Sequence, residues 1–198
     1  MTFDKIPAIT QKPIRTSEIV AAGISKQQLA IMVRKGMVHR VRQGYYMAAE
    51  ALDAATEESI IAVFFPDAVV CRESALFHYG YINRTPIAWH LAFPRDVSRS
   101  RFKASQIAIK PYYHYQHLFE VGITRDIFND TSLRIYDRER TICDCFVHRT
   151  SMDAESFAEA IKAYAADAQK KLSNLSRYAN VFGIGKAIES LMGVVLNA

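Results

Sequence analysis

The chain has 198 residues, enough for one ordinary domain or two small ones. Half of them are hydrophobic and 23% are charged, which excludes an intrinsically disordered chain, and no apolar run approaches the ~20 residues that cross a bilayer. The formal net charge of +5 sits wholly in the first quarter, where residues 1–50 hold eight Lys or Arg against three Asp or Glu, while 51–150 and 151–198 are each balanced. A basic excess confined to one segment is the footprint of a site for a polyanion, or else a solvated basic face.

Residues 1–15 contain Pro7 and Pro13, which leave room for one short turn at most, and Lys5, Lys12 and Arg15 read as a basic arm or a tethered end. This start lacks the basic head, apolar block and small-residue cleavage site of a signal peptide, so a cytoplasmic location is expected.

Thr16 is placed as an N-cap, with Glu18 in the first turn favouring the positive end of the helix dipole. Ile19 and Val20 supply an apolar face, and Gly23 ends this first helix. Ser25 and Gln28 form a capping box for a second helix, with Ile24 and Leu29 at the positions of a hydrophobic staple. Gly36 closes that helix, with Met32 and Met37 spaced for a Schellman ending. Two helices joined by so short a turn predict a helix-turn-helix.

At about 100° per residue, Leu29, Met32 and Val33 share the core face of the second helix. Gln27, Ile31, Arg34 and Lys35 lie on the other side, with Lys26 in the first turn. That side offers an amide for base edges, cations, and an apolar contact for a thymine methyl. Residues 37–41 alternate as a strand with Val38 set apart from Met37, His39 and Val41; Arg42-Gln43-Gly44 turns the chain and Tyr45-Tyr46-Met47 returns. A ribbon after a recognition helix is a wing, whose Arg40, Arg42 and Gln43 suit phosphate or minor-groove contact.

Further along, residues 51–65 read as a helix with Ile60, Ile61, Phe64 and Phe65 inward. Residues 68–71 form a short buried strand, and 73–79 a helix stopped by Gly80. Strands are expected at 87–93, at 106–110 continuing through 111–115, and at 133–136. The polar, basic stretch 95–103 between the first two reads as a solvated loop. The aromatic run Tyr112, Tyr113, His114, Tyr115 and His117 is better explained as strand than as a stacking platform. Asp137 caps a helix at 138–148 with Ile142, Cys145 and Phe146 inward; Ser151 or Asp153 caps the next, to about residue 166. The tail 167–198 holds two helices broken near Gly183 and Gly185, with Leu172, Leu175, Tyr178 and Ala179 on one apolar face.

Nothing in the chain reads as catalytic machinery. It has no G-x-S-x-G elbow, P-loop, H-E-x-x-H or G-x-G-x-x-G. Cys71, Cys143 and Cys145 read as small buried hydrophobes, since residues two apart on a helix point away from each other. Asp137, Glu139 and Asp144 are explained by capping and by pairing with Arg138 and Arg140, and Glu159-Ala160-Ile161-Lys162 has the wrong spacing for a metal nuclease. No enzyme activity, metal or cofactor is expected. The fold class expected is α+β: a winged helix-turn-helix over residues 1–50, then an α+β domain over 51–198 ending in a helical tail.

Ala22-Gly23-Ile24-Ser25, Arg34-Lys35-Gly36 and Arg40-Val41-Arg42-Gln43-Gly44-Tyr45-Tyr46 together resemble the N-terminal winged helix of AbiEi-family antitoxins, from type IV toxin–antitoxin systems. The resemblance continues through Cys71-Arg72-Glu73-Ser74-Ala75-Leu76 with His78 and Gly80, through Asp137-Arg138-Glu139-Arg140-Thr141-Ile142-Cys143-Asp144, and through Ala179-Asn180-Val181-Phe182-Gly183. The family's opening helix is reduced here by Pro7 and Pro13. What the resemblance implies is a repressor that binds inverted repeats in the operator of its own operon. It further implies an antitoxin that counteracts a nucleotidyltransferase toxin without a stable complex. In that reading Gln27, Ile31 and Arg34 face the major groove, while Lys26, Lys35, Arg40, Arg42 and Gln43 meet the backbone or minor groove. The competing readings are the DNA-binding component of a nuclease, and a stand-alone regulator with no toxin partner.

Overall fold

The computed structural model describes residues 13–52, 55–97 and 107–196. The expected N-terminal arm before Pro13 and most of the basic loop 95–103 therefore lie outside the described residues. The fold is α+β, with helices around a three-stranded and a five-stranded sheet. Among the described residues no helix is long and apolar enough to cross a membrane. The chain divides into two compact units, Met1–Pro66 with Ile127–Ser132, and Asp67–Asp126 with Leu133–Ala198.

The first unit opens with β1 (Ile14–Arg15), α1 (Thr16–Ala21) and α2 (Lys26–Arg34), followed by β2 (Val38–Arg42) and β3 (Tyr45–Ala48). The three strands are antiparallel in the order β1-β3-β2. β1 has no counterpart in the sequence reading, because a two-residue strand between a proline and a helix leaves no periodicity to see. It also moves the start of α1. Arg15 occupies the N-cap, with its N–H donating to the Glu18 carboxylate at 2.9 Å, and Thr16 becomes the first helical residue. Thr16 turns its hydroxyl instead to the Gly44 carbonyl.

The capping of α2 follows the sequence closely. Gln28 N–H donates to Ser25 Oγ at 3.2 Å and Ser25 N–H to Gln28 Oε1 at 2.8 Å, which closes the capping box. At the other end Gly36 takes φ +70°, its N–H reaching Val33 O while Met37 N–H reaches Met32 O, the Schellman pair. Ile19, Leu29, Met32 and Val38 form the core, with Ile24 packed against them. Strict alternation fails in β2: Val38 and Val41 are both buried. The pairing shifts between Arg40, opposite Tyr46, and Arg42, opposite Tyr45, so Val41 is the extra residue of a β-bulge. The single helix expected over 51–65 is instead α3 (Ala49–Leu52) and α4 (Glu57–Phe64), because Thr56 caps α4 through Ser59 N–H. Phe64 meets Tyr45 edge-on at 4.7 Å.

The second unit contains β4 (Val69–Val70), α5 (Arg72–His78), β5 (Trp89–Pro94), β6 (Ile109–His114) and α6 (Gln116–Phe119). After these come β7 (Ile123–Phe128) and β8 (Thr131–Tyr136), whose residues 127–132 belong to the first unit, and then α7 (Arg138–Val147), α8 (Ala154–Ala166), α9 (Leu172–Val181) and α10 (Gly185–Leu196). The sheet order is β6-β5-β4-β8-β7, with β4 antiparallel to β5, and with the β4–β8 and β5–β6 pairs parallel. Ile87, expected in a strand, is 92% exposed and precedes β5. β7 is absent from the sequence reading, although Asn129 and Asp130 at φ 41° and 64° make the two-residue turn that favours a hairpin.

The helical core joins Leu76 of α5, Ile142 and Cys145 of α7, Ile161 and Tyr164 of α8, Leu175 and Tyr178 of α9, and Ile188 of α10. Leu172, expected on that face, is 46% exposed. Asp153 rather than Ser151 caps α8, accepting from Ser156 N–H at 2.8 Å. α7 departs most from expectation, since Glu139, Arg140, Thr141 and Asp144 are buried along with Ile142. Glu139 pairs with neither arginine: it accepts from Tyr164 OH and from the Lys171 N–H. Arg138 goes to Asp167 at 2.9 Å, leaving Arg140 with Asp144 as the internal pair.

Candidate nucleic-acid interface

α2 presents Lys26, Gln27, Ile31, Arg34 and Lys35 as exposed side chains, while Leu29 and Met32 on its opposite face are buried. Gln27, Ile31 and Arg34 stand at i, i+4 and i+7, one stripe along the helix. Gln28 is exposed as well, with its amide oxygen accepting from the Ser25 N–H in the cap. Ile31 is 47% exposed, and no acidic side chain stands between Glu18 and Glu50. On the ribbon, Arg40 and Gln43 are exposed, and the backbone of Arg42 pairs with Tyr45 beside the turn. Gly44 holds that turn at φ +79°, a conformation that side chains with a Cβ rarely take.

Arg15 joins the same strand system, a placement with no signal in the sequence. Its Nε donates to Tyr45 OH at 2.9 Å, and its guanidinium lies 5.6 Å from the ring centre. It is exposed, and adds a cation to the edge of the ribbon.

The second unit holds a different polar constellation, missed in the sequence because its members are far apart in the chain. Arg72, Glu73 and Leu76 of α5, Asp144 and Cys145 of α7, and His148 and Met152 beyond α7 line a small pocket of about 10 Å³, room for about one water. Arg72 sits at φ +50°, a left-handed conformation costing a residue with a Cβ about 1–3 kcal/mol. Its guanidinium stacks over Tyr112 at 4.3 Å and donates to Ser151 Oγ at 3.0 Å. Glu73 Oε2 lies 2.5 Å from His90 Nδ1, which also stands 3.0 Å from Tyr112 OH. Burial pushes the Glu73 carboxyl up, but the hydrogen bond and charge of His90 outweigh it and hold the group at about 2.

Beneath the pocket, Arg140 is wholly buried. Its Nε donates to Asp144 Oδ1 at 3.0 Å, Nη1 donates to the carbonyls of Leu118 and Val121, and Tyr136 and Phe182 flank the guanidinium. Asp144 Oδ2 and Arg140 Nη2 are buried without a hydrogen-bond partner. Burial lowers the affinity of His148 and His114 for a proton, His114 to about 4. The thiols of Cys71 and Cys145 are pushed up by burial, that of Cys143 to about 12, so none is a ready thiolate. Among the described residues no three His, Cys, Asp or Glu gather in a way that could hold a metal ion.

No protein-family model and no curated protein matches the chain. Its fold is similar to that of the RV2827C protein from Mycobacterium tuberculosis, known from a crystal structure. The TM-score is 0.60 at 12% identity, over 94% of this chain and 71% of that one. At that identity the similarity is one of fold.

Proposed function

We propose that the chain is a cytoplasmic DNA-binding transcriptional repressor whose residues 1–50 act as a winged helix-turn-helix. In this reading α2 enters the major groove, with Gln27, Ile31 and Arg34 toward base edges. Lys26, Lys35, Arg40, Arg42 and Gln43 hold the phosphates that fix its register. Ile31 carries the reading. A half-exposed isoleucine between cations and an amide is out of place on a solvated face, and suits a thymine methyl. The capping box and Schellman ending support it by fixing the length and direction of α2. The resemblance to AbiEi-family antitoxins extends the reading to autorepression through inverted repeats and to antagonism of a nucleotidyltransferase toxin. The test is binding of the purified chain to the promoter fragment of its own operon in a gel-shift titration with a scrambled competitor. Specific retention supports the reading, and equal affinity for both fragments rules it out. Cleavage of the fragment with Mg²⁺ would favour the nuclease alternative. Repression without relief of toxicity from the neighbouring gene would favour a stand-alone regulator.

A further inference from the structure

We propose that Arg15 is a further DNA-contacting residue, held by Tyr45 so that its guanidinium meets a backbone phosphate beside the ribbon turn. The inference rests on the DNA-binding reading above and adds to it a residue and a positioning partner. Sheet register puts Arg15 at the right end of the ribbon. Arg15 and Arg42 are both in register with Tyr45, one on either side of it, so their Cα atoms stand two strand spacings apart, roughly 10 Å. The next residue, Thr16, bonds the Gly44 carbonyl with both its N–H and its hydroxyl, which fixes this row against the turn that carries exposed Gln43.

The side chain is exposed but oriented. Its Nε–H donates to Tyr45 OH at 2.9 Å, and the guanidinium lies 5.6 Å from the centre of that ring. Tyr45 is anchored in turn by strand pairing on both sides and by its edge-on contact with buried Phe64 at 4.7 Å. Ordering a long side chain costs rotamer freedom, and a tether made before binding removes part of that cost. Of the five guanidinium N–H donors the tether uses one, and the other four form the planar fork of the two Nη groups. Among the described residues the ion pairs lie elsewhere, and the Glu18 carboxylate accepts from the main-chain N–H of Arg15. A tethered fork with its charge unneutralised, in the same row as Arg42, matches the bidentate geometry of a phosphate.

Titrating the whole chain against the promoter fragment and the scrambled fragment, from about 50 to 200 mM salt, tests it. Arg15→Ala is expected to lower the slope of log K against log salt concentration by about 0.9. Both fragments are expected to weaken alike, because a phosphate contact carries no sequence information. Arg15→Gln removes the charge at similar length and is expected to match it. Tyr45→Phe keeps the ring against Phe64 and keeps the charge of Arg15, so it is expected to weaken both fragments roughly threefold with the slope unchanged. In the Arg15→Ala background the same change is expected to have no further effect, a coupling that a merely structural tyrosine would not show. If the native chain prefers the promoter and both Arg15 variants keep its slope, the inference is overturned and the repressor reading stands. Additive effects of Arg15→Ala and Tyr45→Phe, or a loss confined to the promoter fragment, overturn it as well. A native chain with no preference for the promoter overturns the repressor reading and the inference with it.

Discussion

The main-chain N–H and the hydroxyl of Thr16 both end on the carbonyl oxygen of Gly44, at 2.9 and 3.1 Å. Two donors on one acceptor tie the first residue of α1 to the turn of the β2–β3 ribbon, 28 positions away in sequence. Thr16→Val keeps the shape and removes one donor. It is expected to cost about 0.5–1.5 kcal/mol in urea unfolding, and to weaken DNA binding through loss of ribbon order rather than loss of a contact.

Ile31 separates stability from binding. Being 47% exposed, it can be cut to alanine with a stability change within about 0.5 kcal/mol. The same Ile31→Ala change is expected to weaken operator binding by about 1–3 kcal/mol if the side chain meets a thymine methyl. Ile31→Glu is expected to abolish binding by setting an anion against the phosphates. Unfolding curves and gel shifts on the same preparations measure both.

Arg140 has the opposite profile. Arg140→Ala leaves Asp144 as an uncompensated buried charge and two backbone carbonyls unmet, and is expected to cost about 3–5 kcal/mol. Arg140→Met combined with Asp144→Leu removes both charges and is expected to recover much of that loss in the same denaturation assay.

His114 contributes to acid sensitivity. Its ring meets Tyr136 edge-on at 6.3 Å, and burial holds its proton affinity at about 4, with Arg140, His148 and Arg72 pushing the same way and Asp144 opposing. The folded state prefers the neutral ring, so its contribution is present above the ordinary value of 6.5 and is lost as pH falls toward 4. His114→Phe is expected to flatten the decline of melting temperature across that window, a difference on the order of 2 kcal/mol. The loss below 4.5, where Glu73 with its carboxyl held at about 2 begins to titrate, is expected to remain.

The sequence was most legible where neighbouring residues define the structure together. Ser25, Gln28, Gly23 and Gly36 act within a few positions of one another, and the bounds and faces of α2 follow from them. Legibility fell where distant partners decide. Thr16 looks like a cap until Gly44 takes its hydroxyl. Arg140 looks like a surface arginine until carbonyls from residues 118 and 121 surround it. Arg72 has no local signal for its positive φ, since nothing around Cys71-Arg72-Glu73 differs from an ordinary helix start. Tyr112, Tyr113 and His114 lie in β6 as expected, but the strand ends there: Tyr115 is the N-cap of α6, which carries His117, and Tyr112 also carries the stacked Arg72, a role that spacing along one strand cannot show.

The most direct test of the central claim is the salt dependence of binding to the promoter fragment for the native chain, Arg34→Ala and Arg42→Ala. Each phosphate contact contributes about 0.9 to the slope of log K against log salt concentration. The expected result is weaker binding by both variants, with a slope reduced by about one for Arg42→Ala, whose cation meets the backbone, and weaker discrimination against the scrambled fragment for Arg34→Ala. Affinity and slope unchanged in both variants would contradict it and leave the basic first quarter of the chain as a solvated surface.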